Sequence, residues 1–249
     1  DQKFDILSVM VRECRRDPEQ LELLRQVSLR DDISVNVFEQ IFKAGYATYN
    51  LTMKSVIVEL VLCLVTSEGA EPRDFEELVE SGVSQLTLDV FASAKAYKAP
   101  MSLIENTTEL VDSFISFPAF TDEFVRRGGS KILFGQLVAK YPSDVPKQKA
   151  MKALRHLAQN PKYLKGMSQS GGISALVQGL QHTENREFVQ DALKIVSVLR
   201  KTNAKLLGQI MEVSSHLRHV LNLLSIDDEI IIADSVSILF ALVAKEKNL

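Results

Sequence analysis

The segment Asn160-Pro161-Lys162-Tyr163-Leu164-Lys165-Gly166-Met167, then Ser168–Ser170, then Gly171-Gly172-Ile173-Ser174-Ala175-Leu176-Val177-Gln178-Gly179-Leu180 decides the fold. Proline is tolerated in the first turn of a helix, where its missing N–H would have no partner, so the spacing predicts a short helix from Pro161. The paired glycines predict a stop, because a sharp turn into a following helix needs backbone that tolerates positive φ. Beyond them Ile173, Leu176, Val177 and Leu180 fall at i, i+3, i+4 and i+7, the spacing of one apolar helical face. A third helix from about Arg186 to Leu199 follows, with Ala192, Ile195, Val196 and Leu199 on one side.

The same grammar recurs in both directions. Gly128-Gly129 precede Ile132, Leu133 and Leu137 as Gly171-Gly172 precede Ala175, Leu176 and Leu180, 43 residues on. Ala150, Leu154 and Leu157 match Ala192, Val196 and Leu199, and Asp191 to Leu199 matches Asp234 to Leu242. Leu217, Val220, Leu221 and Leu224 form the middle helix of that last unit. Upstream, the runs Phe75 to Gly82 and Phe38 to Gly45 read as earlier short helices ending in glycine, with third helices over Ser55–Val65 and Thr108–Phe117. Five stops, near 45, 82, 128, 171 and 214, divide the chain into units of three helices. Each unit has more apolar surface than it can cover alone and must stack on its neighbours.

This pattern resembles the armadillo repeat family, from about Val37 to Leu242 and most clearly through Leu157-Ala158-Gln159-Asn160-Pro161, Gly171-Gly172-Ile173 and Leu180. The resemblance implies an all-α, right-handed α-solenoid of about five three-helix repeats, its third helices lining a concave groove. Residues 1–249 are then one repeat domain, with 1–36 as an N-terminal cap or degenerate repeat. The resemblance also implies a binding role. Peptide-binding members carry an asparagine on each third helix, which hydrogen-bonds the backbone of an extended ligand. The matching positions here read Cys63, Ser116, His156, Val198 and Ala241. With no asparagine among them, a helical ligand, a folded partner or self-association is favoured over a clamped strand.

Composition agrees with such a chain. Among 249 residues, 46% hydrophobic and 24% charged are ordinary proportions for a globular protein, and seven prolines with eleven glycines favour helices. Cys14 and Cys63 lie outside any metal-ligand spacing and read as free thiols. The sequons at Asn50 and Asn106 lack a signal peptide or a cysteine framework beside them. The apolar runs are too short and too interrupted to span a bilayer. An intracellular, cytoplasmic location is expected, and the opening Asp1-Gln2-Lys3 without methionine reads as a fragment of a longer protein.

Charge is segregated along the chain. Residues 1–124 hold 11 Lys/Arg against 22 Asp/Glu, whereas residues 125–220 hold 16 against 5. Helical projection puts Lys149, Lys152, His156, Lys194 and Lys201 on or near the concave face, and Glu59, Glu109 and Asp112 there in the first half. Catalysis is not expected: there is no phosphate-binding glycine loop followed by lysine, no Gly-x-Ser-x-Gly and no His-Glu-x-x-His. No cofactor is implied, and the four histidines complete no metal site. The function expected is a scaffold holding a protein or peptide partner with an acidic segment. Nucleic acid on the basic 125–220 stretch is the alternative, disfavoured by the acidic first half and by the lack of the aromatic interleaving that base stacking uses, Tyr141 and Tyr163 being its only tyrosines.

Overall fold

The computed structural model describes residues 2–30, 37–46, 50–169, 171–180, 185–202 and 214–246. All regular structure among them is helical. The expected stop near 214 falls at the edge of the described residues. The chain divides into two compact units, residues 1–127 and 128–249.

In the first unit the helices are α1 (Gln2–Arg16), α2 (Pro18–Arg25), α3 (Val37–Tyr46), α4 (Leu51–Thr66), α5 (Pro72–Glu80), α6 (Val83–Tyr97), α7 (Met101–Phe114) and α8 (Pro118–Arg126). Helices α1, α4 and α7 lie side by side, and α3 and α6 pack in a second row behind α4 and α7. In the second unit they are α9 (Gly129–Val138), α10 (Val145–Ala158), α11 (Pro161–Gln169), α12 (Gly172–Gly179), α13 (Arg186–Thr202), α14 (Ser214–Asn222) and α15 (Glu229–Glu246). There α10, α13 and α15 form one row, with α9, α12 and α14 behind. A third helix is therefore covered on its back and on its flanks, leaving one strip of surface.

Two local rules set the boundaries. Four short helices (α2, α5, α8 and α11) begin at prolines 18, 72, 118 and 161, where the ring costs no hydrogen bond. The turns that follow α5, α8 and α11 each hold a glycine in the left-handed region, Gly82 at φ 103°, Gly128 at 90° and Gly171 at 70°. The helix starts at 118 and 161, 129 and 172, and 186 and 229 are each 43 residues apart, as the sequence self-match requires.

Three expectations need correction. The stop near 45 is the end of α3 at Tyr46, but Gly45 lies inside the helix and takes no left-handed conformation; a Cβ there would stand 2.9 Å from Ile57 Cδ1 of α4. The run Phe38 to Gly45 is accordingly a second-row helix packed on α6, and the Pro18 helix α2 takes the short-helix role. The third helix expected over Thr108–Phe117 is Met101–Phe114, which ends before the turn that leads into Pro118 and α8. Residues 1–36 hold α1, set beside α4 much as α4 is set beside α7.

Gly172 illustrates how tightly the second unit packs. A Cβ there would run into the ring of Phe134, itself 2% exposed, whereas a Cβ at Gly135 on α9 meets nothing. Gly172→Ala should therefore destabilise by roughly 1–3 kcal/mol through overpacking. Gly135→Ala should stabilise by about 0.5–1 kcal/mol through helix propensity. Urea melts of the two variants should move in opposite directions.

Candidate functional site

Buried positions recur in one register along α4, α7, α10 and α13: Met53, Ile57, Leu60, Val61 and Leu64 on α4 correspond to Leu103, Thr107, Leu110, Val111 and Phe114 on α7. The same frame gives Ala150, Ala153, Leu154 and Leu157 on α10, and Ala192, Ile195, Val196 and Leu199 on α13. It also fixes which side chains share the open strip. Glu59, Glu109, Lys152 and Lys194 occupy one position of it. Cys63, Ser113, His156 and Val198 occupy the next, four residues on. Ser116 lies beyond the end of α7, so the groove position there belongs to Ser113, whose Oγ donates to Glu109 O at 3.1 Å. Asparagine is absent from that position even after the correction.

Lys149, Lys152, His156, Lys194 and Lys201, the five residues expected on the concave face, lie on two packed helices of the second unit. Lys149, Lys152 and His156 lie on α10 at i, i+3 and i+7, and Lys194 and Lys201 lie on the packed neighbour α13 at i and i+7. Lys152, His156, Lys194 and Lys201 are exposed, and Lys149 is half-buried. Partial burial pushes the Lys149 ammonium below its ordinary value, and the charge of Lys152 pushes it further. Between the two helices Arg155 donates to Asp191, at 3.2 and 3.4 Å to its two carboxylate oxygens. That pair joins α10 to α13 at the rim. Phe134 and Leu137 of α9 are buried.

The first unit shows the opposite sign on α4 and α7, where Glu59, Glu109 and Asp112 are half-buried on adjacent helices. Helix α1 does not follow its region. Arg12, Arg15 and Arg16 are exposed on it, and Arg15 Nη2 reaches Glu59 Oε2 of α4 at 3.2 Å. The averaged charge of residues 1–124 hid this cluster, although its i, i+3, i+4 spacing is readable in the sequence.

No group of three or more His, Cys, Asp or Glu suited to a metal ion occurs among the described residues. None of the described helices is long and apolar enough to cross a membrane.

No family model matches the sequence, and no curated protein matches it. Solved structures do. A designed armadillo repeat protein in complex with the peptide (KR)4 is 15% identical, with a TM-score of 0.63 over 95% of this chain and 91% of that one. A computationally designed armadillo repeat protein for modular peptide recognition is 16% identical, with a TM-score of 0.64 over 94% of this chain and 99% of that one. An engineered protein known from its crystal structure is 11% identical, with a TM-score of 0.63 over 97% and 92%. At these identities the likeness concerns the backbone, and it agrees with the register just described: the chain has an armadillo-like, all-α helical-repeat fold.

Proposed function

We propose that the chain is a non-catalytic binding scaffold, and that the strip formed by α10 and α13 holds an acidic segment of a protein partner. The observation that carries this reading is the pairing of Lys152 with Lys194 at one register position of two packed helices, extended by Lys149, His156 and Lys201. A surface lined by one sign of charge raises encounter rates with ligands of the other sign. Lys149 adds a specific gain, since a carboxylate placed between it and Lys152 offsets their mutual repulsion.

Structures of similar fold bind peptides, one of them the basic (KR)4. The cationic strip on the second unit calls for a ligand of the opposite sign. Without asparagine at Cys63, Ser113, His156 and Val198, the backbone of an extended strand has no amide ladder to bond. An amphipathic helix with one acidic edge, or a folded surface, fits better. Electrostatics gives rate and specificity more than affinity, so an apolar anchor on the ligand completes the interface.

The test is the double charge reversal Lys152→Glu with Lys194→Glu, compared with the unaltered chain in a pull-down and then by titration of the captured partner. Binding should fall at least about tenfold while the helical signal is unchanged. Raising salt from 0.05 to 0.5 M should weaken the unaltered chain towards the variant, as screening predicts (~14 Å to ~4 Å Debye length). Undiminished binding by a folded variant would place the partner elsewhere. A random oligonucleotide captured with a steep salt slope would favour nucleic acid instead.

A further inference from the structure

A cleft of about 340 Å³ opens between α1 and α4 in the first unit. Its floor is apolar, from Val11 and Val56, and its wall is cationic, from Arg12, Arg15 and Arg16. Ser8 closes one side, with its Oγ enclosed and without a hydrogen-bond partner among the described residues. Glu59 closes the other. We propose that this cleft is a second binding site, distinct from the lysine strip, and that it takes a phosphorylated serine or threonine of a peptide.

The argument is one of charge, number and shape. Three guanidiniums and one carboxylate leave the lining two charges positive, the complement of a phosphate monoester at neutral pH, about −1.5 to −2. Arg12, Arg15 and Arg16 stand at i, i+3 and i+4, with Cβ atoms about 5–6 Å apart, so their heads can converge on one anion. A carboxylate offers two oxygens and is filled by one bidentate arginine. A monoester offers three, and can accept paired N–H groups from two forks at once with room for a third.

What now occupies these arginines yields readily. Arg15 pairs with Glu59 at 3.2 Å with side chains 57% and 24% exposed, and Arg12 pairs with Glu13 at 3.0 Å on the outer surface. Pairs with at least one partner open to water contribute little net stability, less than charge-assisted bonds to a dianion. Val11 and Val56 give the residue next to the phosphorylated one an apolar seat, which a bare phosphate does not use.

Fluorescence anisotropy on the whole chain tests this with a labelled nonapeptide holding one phosphoserine between leucines, its unphosphorylated twin, and a twin with aspartate at that position. The phosphopeptide should bind at least tenfold more tightly than either twin. Arg12→Gln with Arg16→Gln should abolish the preference, Arg12→Lys with Arg16→Lys should reduce it, and Glu59→Gln should strengthen binding a few-fold by freeing Arg15. Arg12 and Arg16 are exposed and Glu59 is half-buried at the edge of the cleft, so thermal melts should stay within a few degrees. Lys152→Glu with Lys194→Glu should leave phosphopeptide binding untouched, which separates this site from the strip on α10 and α13. Equal binding of the aspartate twin would overturn the proposal, as would a preference that survives in the Arg12→Gln, Arg16→Gln variant. So would displacement by inorganic phosphate at the phosphopeptide's own concentration, or an RNA dodecamer that binds more tightly through the same arginines.

Discussion

Truncation of Leu154 to alanine should cost about 2–5 kcal/mol, while Lys152→Ala, two residues away, should stay within about 0.5 kcal/mol. Leu154 is fully buried, and the residues at the same register of the other third helices, Val61, Val111 and Val196, are all at 0–1% exposure. In the second unit Leu154 and Val196 fill the space between the front row and the row behind it, where little rearrangement can close a cavity. Lys152 stands on the open strip, and its removal changes charge without opening a void. Thermal melts of the two variants separate the readings: equal shifts would mean that the buried and open faces of α10 had been exchanged. Leu239 shares the register but is only half-buried on α15, so its truncation should cost less than that of Leu154.

Much of this architecture is legible in the chain because the signals are local. A glycine at positive φ and a proline at a helix start are demands a residue meets with its own backbone, so the turns at 82, 128 and 171 could be placed from composition alone. Helical period likewise puts Lys152 and Lys194 on the open face once the apolar positions are known. The end of α3 one residue past Gly45 is legible too, but its packing on α6 as a second-row helix is a tertiary matter that leaves no local trace. Ser116 misses the groove position because α7 ends at Phe114, ahead of the turn that leads into Pro118 and α8. The arginines of α1 escape notice when charge is averaged over a region rather than projected on one helix face. Arg25 escapes for another reason: from α2 it donates to the carbonyls of Leu64 and Glu68, capping the end of α4, and nothing in its surroundings in sequence marks a buried guanidinium.

Asp89→Ala should be among the most damaging single changes in the first unit, at about 3–5 kcal/mol, although Asp89 is not itself fully buried. Its partner is Lys54, on α4 and 1% exposed, whose ammonium donates to Asp89 and, at 3.0 Å, to Ser93 Oγ of α6. Without the carboxylate that charge is left in the core with one hydroxyl, and burying an uncompensated ammonium costs far more than losing a surface pair. The reverse change should be mild. At the position of Lys54, α7 and α13 carry Ile104 and Val189, so the fold accepts an aliphatic side chain there, and Asp89, with 28% of its side chain exposed, can turn to water. Lys54→Met should thus cost no more than about 1 kcal/mol, and Lys54→Met combined with Asp89→Ala should recover most of the loss caused by Asp89→Ala alone. Urea denaturation of the three variants measures this directly. If Lys54→Met proves as harmful as Asp89→Ala and the double variant is additive, the pair contributes net stability as an ion pair, and the desolvation argument does not describe this site.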